Sequence, residues 1–276
     1  MLGEKFRFRF AKTGTLRLLS HHDLMRCLER MLRRADLPFK CTAGFHPTPR
    51  VVFALSLPLG VVGKDEVVEI EFTRPLDARQ TLAALQAQSP AGLTFTRVTV
   101  VPLTATATPR RVVYHLPLPA DRVPAVAQQC QHLLASDQLW VDRLKPAPKR
   151  LNIRPYLRKL AVVPVQVAEQ LEPVADPVRP TLELDLWVTS TGTARADELL
   201  KLLGVADQID AGAVIERVKV ELRDEVPNPD PADGPPDGPA QTQPLDPAAL
   251  ARLVQPDEEQ PAAAVWGLSP AGPVVE

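Results

Sequence analysis

The residues best suited to chemistry stand close together between Ser20 and Arg50. Arg26, Arg30 and Arg33 recur at i, i+4 and i+7, so on a helix they share one side. A row of guanidinium groups matches a phosphate backbone through bidentate hydrogen bonds and counterion release. The other reading is a solvated helix face partly neutralised by Glu29. The run Gly44-Phe45-His46-Pro47-Thr48-Pro49-Arg50 follows. Gly44 permits a tight or positive-φ turn, and Pro47 and Pro49 stiffen the backbone. Phe45 and His46 are thereby held with little entropy left to lose on binding. Phe45 can stack on a base or seat the loop in the core. His46 can donate to phosphate, or serve as an acid or base near neutral pH. Lys40 and Arg50 flank the loop with positive charge.

His21, His22 and Asp23 lie where this helix should begin. Adjacent histidines cannot share a helix face, which argues against a two-histidine metal site, and no metal is expected. Ser20 and His21 stand at a helix N-terminus, which attracts anions. A second basic stretch holds Lys145, Lys149, Arg150, Arg154, Arg158 and Lys159 around Pro155 and Tyr156. It can continue an anion-binding surface from a second domain. The three cysteines, Cys27, Cys41 and Cys130, form neither a disulfide framework nor a metal knuckle, and the CxxxCxxC spacing of a radical-SAM cluster is absent. No residue is assigned a catalytic role.

The elements that must position these groups follow from hydrophobic period. Phe6, Phe8 and Phe10 alternate with Lys5, Arg7 and Arg9, a half-buried strand. Ser20 with Asp23 resembles a capping box, and Leu24, Leu28, Met31, Leu32 and Ala35 form a helical stripe. Strands are expected at 51–57, 68–72 and 93–101, with a helix capped by Asp77 between the last two. The alternation of the fourth strand slips near Arg97. The order β-α-β-β-α-β predicts a ferredoxin-like sandwich with one sheet face covered by helices and the other free for a partner. On that free face Arg7 and Arg9 either bind nucleic acid or pair across the ladder with Glu69 and Glu71, and the cross-strand pairing is the expectation. The pattern repeats more loosely from Val112 to Leu222, with an insertion or an extra strand at 160–168.

The fold class predicted is therefore α+β, tandem ferredoxin-like domains at 1–105 and 106–222, then a disordered acidic tail at 223–276. Net charge is only −1, but residues 1–50 hold eleven Lys or Arg against four acids, and residues 223–276 hold two against ten. Twelve of the 30 prolines lie in that last stretch. Such a composition buries too little apolar area to offset its ordering entropy. Leu250, Leu253 and Trp266 are its only candidate docking points. Charge begins at Glu4 and Lys5, no apolar run approaches the ~20 residues of a membrane span, and a reducing cytoplasm is the expected compartment.

Phe6 to Phe10 with Lys12-Thr13-Gly14, Leu16-Arg17, Ser20-His21, Asp23-Leu24-Met25-Arg26 and Gly44-Phe45-His46-Pro47 with Pro49-Arg50 resemble the radical-SAM-associated family of unknown function. Ile153-Arg154-Pro155-Tyr156 and Gly192 with Asp197-Glu198-Leu199-Leu200 resemble its later motifs, so the likeness covers roughly residues 5–220. The family has a hydrophobic residue where His22 stands and commonly Asn where His46 stands. The resemblance implies partnership with a radical-SAM enzyme, with the iron–sulfur cluster and SAM in that partner and no cofactor in this chain. The expected function is a non-catalytic partner that binds RNA, transfer or ribosomal, or presents substrate. No DNA specificity is inferred. Two alternatives stand beside it: a metal-independent RNA-processing or RNA-modifying enzyme using His21 or His46 with a nearby Arg, and a protein-interaction scaffold whose acidic tail mimics or shields an anionic ligand.

Overall fold

The phenylalanine alternation makes β1 (Glu4–Lys12), and the chain continues through α1 (His21–Arg34), β2 (Val51–Phe53), β3 (Val62–Phe72), α2 (Ala78–Ala87) and β4 (Leu93–Val101). In this computed structural model the described residues are 3–45, 47–145, 147–166, 178–226, 234 and 238–246. β1 pairs antiparallel with β3 on one side and β4 on the other, and β2 pairs antiparallel with β3. Phe6, Phe8 and Phe10 face the helices. They meet Phe72, Phe95 and Phe53 at ring separations of 5.2, 5.8 and 5.9 Å. Leu24, Leu28, Met31 and Leu32 of α1 and Leu85 of α2 close over them. Each such side chain contributes roughly 1.5–3 kcal/mol on burial. α1 is fixed at its start by Ser20, whose Oγ accepts from the Asp23 amide at 3.2 Å and donates to the Asp23 carboxylate at 2.7 Å. Asp77 caps α2 by accepting from the Gln80 amide at 2.8 Å.

Two boundaries differ from expectation. β2 stops at Phe53, and β3 begins six residues before Val68. A buried arginine explains the first: Arg217 donates to the carbonyls of Leu55 and Ser56, which are therefore not available to a ladder. The slip in β4 is real. Arg9 stands opposite Arg97 but Phe10 opposite Phe95, a bulge that leaves Thr96 unmatched and keeps both phenylalanines on the core side.

The chain divides into two compact units. Met1–Pro109 with Arg217–Pro227 forms one, and Arg110–Glu216 with part of the C-terminal stretch forms the other. The second unit holds β5 (Pro109–Pro117), α3 (Val123–Ala135), β6 (Trp140–Arg143), β7 (Lys149–Asn152), β8 (Leu157–Gln166), β9 (Val178–Trp187), α4 (Ala196–Leu202) and α5 (Asp207–Asp210). β9 lies between β5 and β8, antiparallel to both, and β6 pairs antiparallel with β7. The basic stretch from Lys145 to Lys159 thus contains one strand, β7, and starts another, β8.

The next strand, β10 (Glu216–Leu222), lies beside β3. Parts of the stretch expected to lack structure are built into the fold. Arg223–Glu225 is a 3-10 turn, and β11 (Thr242–Gln243) pairs with β7. Leu250, Leu253 and Trp266 lie outside the described residues. The molecule is a mixed α+β protein with five α-helices among its described residues. Among those residues no helix is long and apolar enough to cross a membrane.

Candidate nucleic-acid interface

The segment after α1 leaves Phe39, bridged to Phe72, and rises as an arch from Lys40 to Arg50. Its feet are joined by the Arg50 amide donating to the Lys40 carbonyl at 2.8 Å. A step higher the Thr42 amide donates to the Thr48 carbonyl at 2.8 Å, and the Thr48 amide to Thr42 Oγ1 at 3.1 Å. Gly44 has a φ of +135°, a region that disfavours any side chain, so the turn at the tip needs glycine. Pro47 is exposed, while Pro49 is buried and bridged to Cys41 at the arch base. At the tip Phe45 is 102% exposed, so of its two expected roles the core seat is not the one it takes. His46 lies outside the described residues.

Both feet bond to β3 at Glu71. Its carbonyl accepts from the Lys40 amide, and its amide donates to the Arg50 carbonyl. The Glu71 carboxylate is also shared by three cations: Lys40 at 3.2 Å, Arg50 at 3.5 Å and Lys5 at 3.8 Å. One negative charge cannot neutralise three positive ones, so the foot of the arch carries excess positive charge in fixed positions.

α1 brings the second group. Its apolar stripe faces the sheet, which leaves Arg26, Arg30 and Arg33 exposed on the other side. Arg26 reaches Asp23 at 3.5 Å and Arg33 reaches Glu29 at 2.8 Å, both solvated pairs of small worth. The Arg33 guanidinium lies 5.5 Å over the Phe39 ring, the residue before the arch. The helix and the arch are therefore linked through one stacked contact. Arg34, exposed at the end of α1, donates to the Gln88 carbonyl.

His21 packs edge-on against Phe53 at 5.0 Å, and burial pushes its imidazole down, helped by His22 and Lys12. Lys12 is itself buried and donates to the Leu19 carbonyl at 3.0 Å. Burial lowers its ammonium to about 8, against the pull of Glu66. Among the described residues no cluster of His, Cys, Asp or Glu could hold a metal ion.

The sheet face that was expected to be open is closed where the arginines lie. Arg7 holds Glu69 at 2.9 Å and Asp224 at 2.7 Å. Burial would lower its guanidinium, but the hydrogen bonds to Asp224 and Glu69 outweigh that and raise it. Arg9 holds Asp65 at 2.7 Å, the Val220 carbonyl at 2.6 Å and both oxygens of Glu225 at 2.5 and 2.6 Å. Arg97 approaches Glu225 at 3.6 Å. Beneath this layer Arg217 clasps Glu66 with two bonds at 2.8 and 2.5 Å. The pairing of Arg7 with Glu69 matches the expectation. The pairing of Arg9 with Glu71 does not occur, because the register sets Arg9 opposite Val67. The roles of Asp224, Glu225 and Arg217 have no signal in the sequence, since each depends on a contact far along the chain.

In the second unit the basic residues are drawn into local structure. Arg154 donates to the carbonyls of Leu134 and Ser136 at 2.6 and 3.0 Å, satisfying the open end of α3. Arg150 grips Asp142 with two bonds at 2.7 and 3.0 Å, which holds that carboxyl below its ordinary range. Arg158 pairs with Asp185 at 2.7 Å and lies 5.6 Å from the Trp187 ring. Lys149 stands half-buried at the start of β7, opposite Arg143. Tyr156 is buried. A Cβ at Gly192 would stand 2.7 Å from its hydroxyl, so these two motif residues require one another.

Comparison with known proteins adds a family. A family model described as uncharacterized protein conserved in bacteria (DUF2344) matches residues 5–196. No curated protein matches the chain. The structure is similar to the crystal structure of an unknown protein from Galdieria sulphuraria, with 11% identity and a TM-score of 0.21, covering 80% of this chain and 99% of that one.

Proposed function

The chain belongs to this family of proteins conserved in bacteria, and on that premise we propose that it is a non-catalytic, cytoplasmic RNA-binding protein that serves a radical-SAM enzyme. The RNA, transfer or ribosomal, would lie along α1 and the arch of the first unit. One observation carries the reading: the Glu71 carboxylate is shared by Lys5, Lys40 and Arg50, at the foot of an arch with a fully exposed aromatic tip. Excess charge held by backbone hydrogen bonds is suited to phosphate, because little ordering is needed on binding. Arg26, Arg30 and Arg33 extend the positive surface. In the second unit Lys149 and Arg150 are partly exposed, whereas Arg154 and Arg158 serve the fold. We read both units as ferredoxin-like. The order β4-β1-β3, with β2 beside β3, supports this for the first.

Salt-titrated binding of a structured RNA to the full chain tests the reading. The logarithm of the binding constant should fall linearly with that of salt. Lys40→Ala with Arg50→Ala should reduce the slope by roughly 0.7–0.9, the loss of the one phosphate contact the two cations share. No binding at low salt, or a flat dependence, removes the proposal. The partnership rests on the resemblance of the N-terminal motifs. Anaerobic co-purification should bring down a protein with an iron–sulfur chromophore, and a colourless fraction removes the partnership while leaving the RNA reading intact.

A further inference from the structure

We infer that the arch takes an unpaired nucleotide, its base stacked on Phe45 while a phosphate of the same strand lies at Lys40 and Arg50. This rests on the RNA reading above and narrows it to a ligand class. The tip carries a phenyl ring that is 102% exposed, on a backbone braced at Thr42, Thr48, Lys40 and Arg50. A phenyl ring has no hydrogen-bonding group, so it cannot read a base edge or a phosphate. What it can recognise in a nucleic acid is the face of a base, and in a duplex those faces are covered by neighbouring base pairs. An exposed, braced aromatic above a cationic foot therefore matches a single strand, loop or bulge better than a helix.

The chemistry of the foot agrees. Lys40 and Arg50 share one carboxylate, Glu71, so their charges converge on one place rather than forming a long track. A phosphate there would meet two donors at once, with Lys5 behind them on the same carboxylate. The tip is five residues from either foot, at most about 17 Å of extended chain, so a strand stacked at the tip can reach the foot with a phosphate a few nucleotides along. An acidic protein partner would also answer the charge. It would gain from Phe45 by burial, not by stacking, and the measurement separates the two.

The test uses the full chain and a short RNA carrying a single 2-aminopurine, either alone or annealed to its complement. The single strand should bind about tenfold more tightly than the duplex, with quenching of the 2-aminopurine emission as its ring stacks. Phe45→Ala should remove the quenching and bring single-strand affinity down to the duplex level. Phe45→Trp should restore both. Equal affinity for the two RNAs, or unchanged quenching in Phe45→Ala, overturns the inference. The broader reading then stands if Lys40→Ala with Arg50→Ala still weakens both RNAs. Failure of both RNAs to bind at low salt overturns the broader reading and this one together. Because Phe45 touches no core residue, loss of folding is not the expected outcome of either variant, and an unchanged melting temperature confirms that the comparison is of binding.

Discussion

Arg9 and Arg33 stand on neighbouring elements of one unit, and the fold treats them in opposite ways. Arg9 is 4% exposed, and both its terminal nitrogens are engaged, by Asp65, Glu225 and the Val220 carbonyl. Arg33 is exposed and pairs with Glu29, one turn back on its own helix, in a solvated ion pair. Arg7 and Arg217 belong with Arg9, and Arg26, Arg30, Lys40 and Arg50 with Arg33. The first set joins β1, β3, β10 and the turn after β10. The second set faces solvent with fewer carboxylates than cations. The contrast teaches that basic density alone does not locate a binding surface. What matters is which cations the fold leaves without enough counter-charge.

The largest expected effect lies in the buried set. Glu66→Ala leaves Arg217, 1% exposed, without its carboxylate, and stability should fall by about 3–5 kcal/mol. A urea midpoint checks this, and a loss below about 1 kcal/mol would erase the division between the sets. Lys12 gives the next effect through pH. Its folded value of about 8 lies below the ordinary 10.5, so from about pH 8 to 10.5 the folded protein has released a proton that the unfolded chain still holds. Stability should therefore rise across that window. Lys12→Met should flatten the rise and add roughly 1–3 kcal/mol at neutral pH, offset in part by loss of the bond to Leu19. Paired urea titrations at pH 7 and in the alkaline window measure both.

Glu225→Ala should cost about 1.5 kcal/mol, because Arg9 keeps Asp65 and the Val220 carbonyl. The melting temperature reads it, and a negligible shift would place the turn after β10 outside the folded unit. The smallest effect belongs to the exposed set. Lys40→Ala with Arg50→Ala, and Phe45→Ala, should each change stability by less than about 0.5 kcal/mol. A large loss in the same assay would make the arch part of the scaffold instead of a surface it presents.

Much of the first unit is legible in sequence because its signals are local. The phenylalanine alternation places the core side of β1, Ser20 and Asp23 mark the start of α1, and the α1 stripe leaves the arginines outside. Even the slip at Arg97 has its counterpart in a bulge. Register is different. Alternation tells which side of β1 an arginine faces, but not whether Glu69, Glu71 or Val67 stands opposite. The tail is a similar case. Composition argues against structure from residue 223 onward, yet Asp224 and Glu225 are held in place because two buried guanidinium groups need them. In the second unit Arg154 looks like part of a basic patch until the end of α3 is seen beside it.

The amino-acid sequence by itself determined the element types of the first unit, the apolar sides of β1 and α1, the stiff turn at Gly44 and the concentration of positive charge near the start. Those depend on residues within a few positions of one another. Only the tertiary structure decided which of these charges remain available. Neutralisation depends on carboxylates brought from elsewhere, and Glu225 lies 216 residues along the chain from Arg9. The arch between Lys40 and Arg50, where among the described residues Glu71 is shared by three cations, keeps the charge that the sheet face has given up.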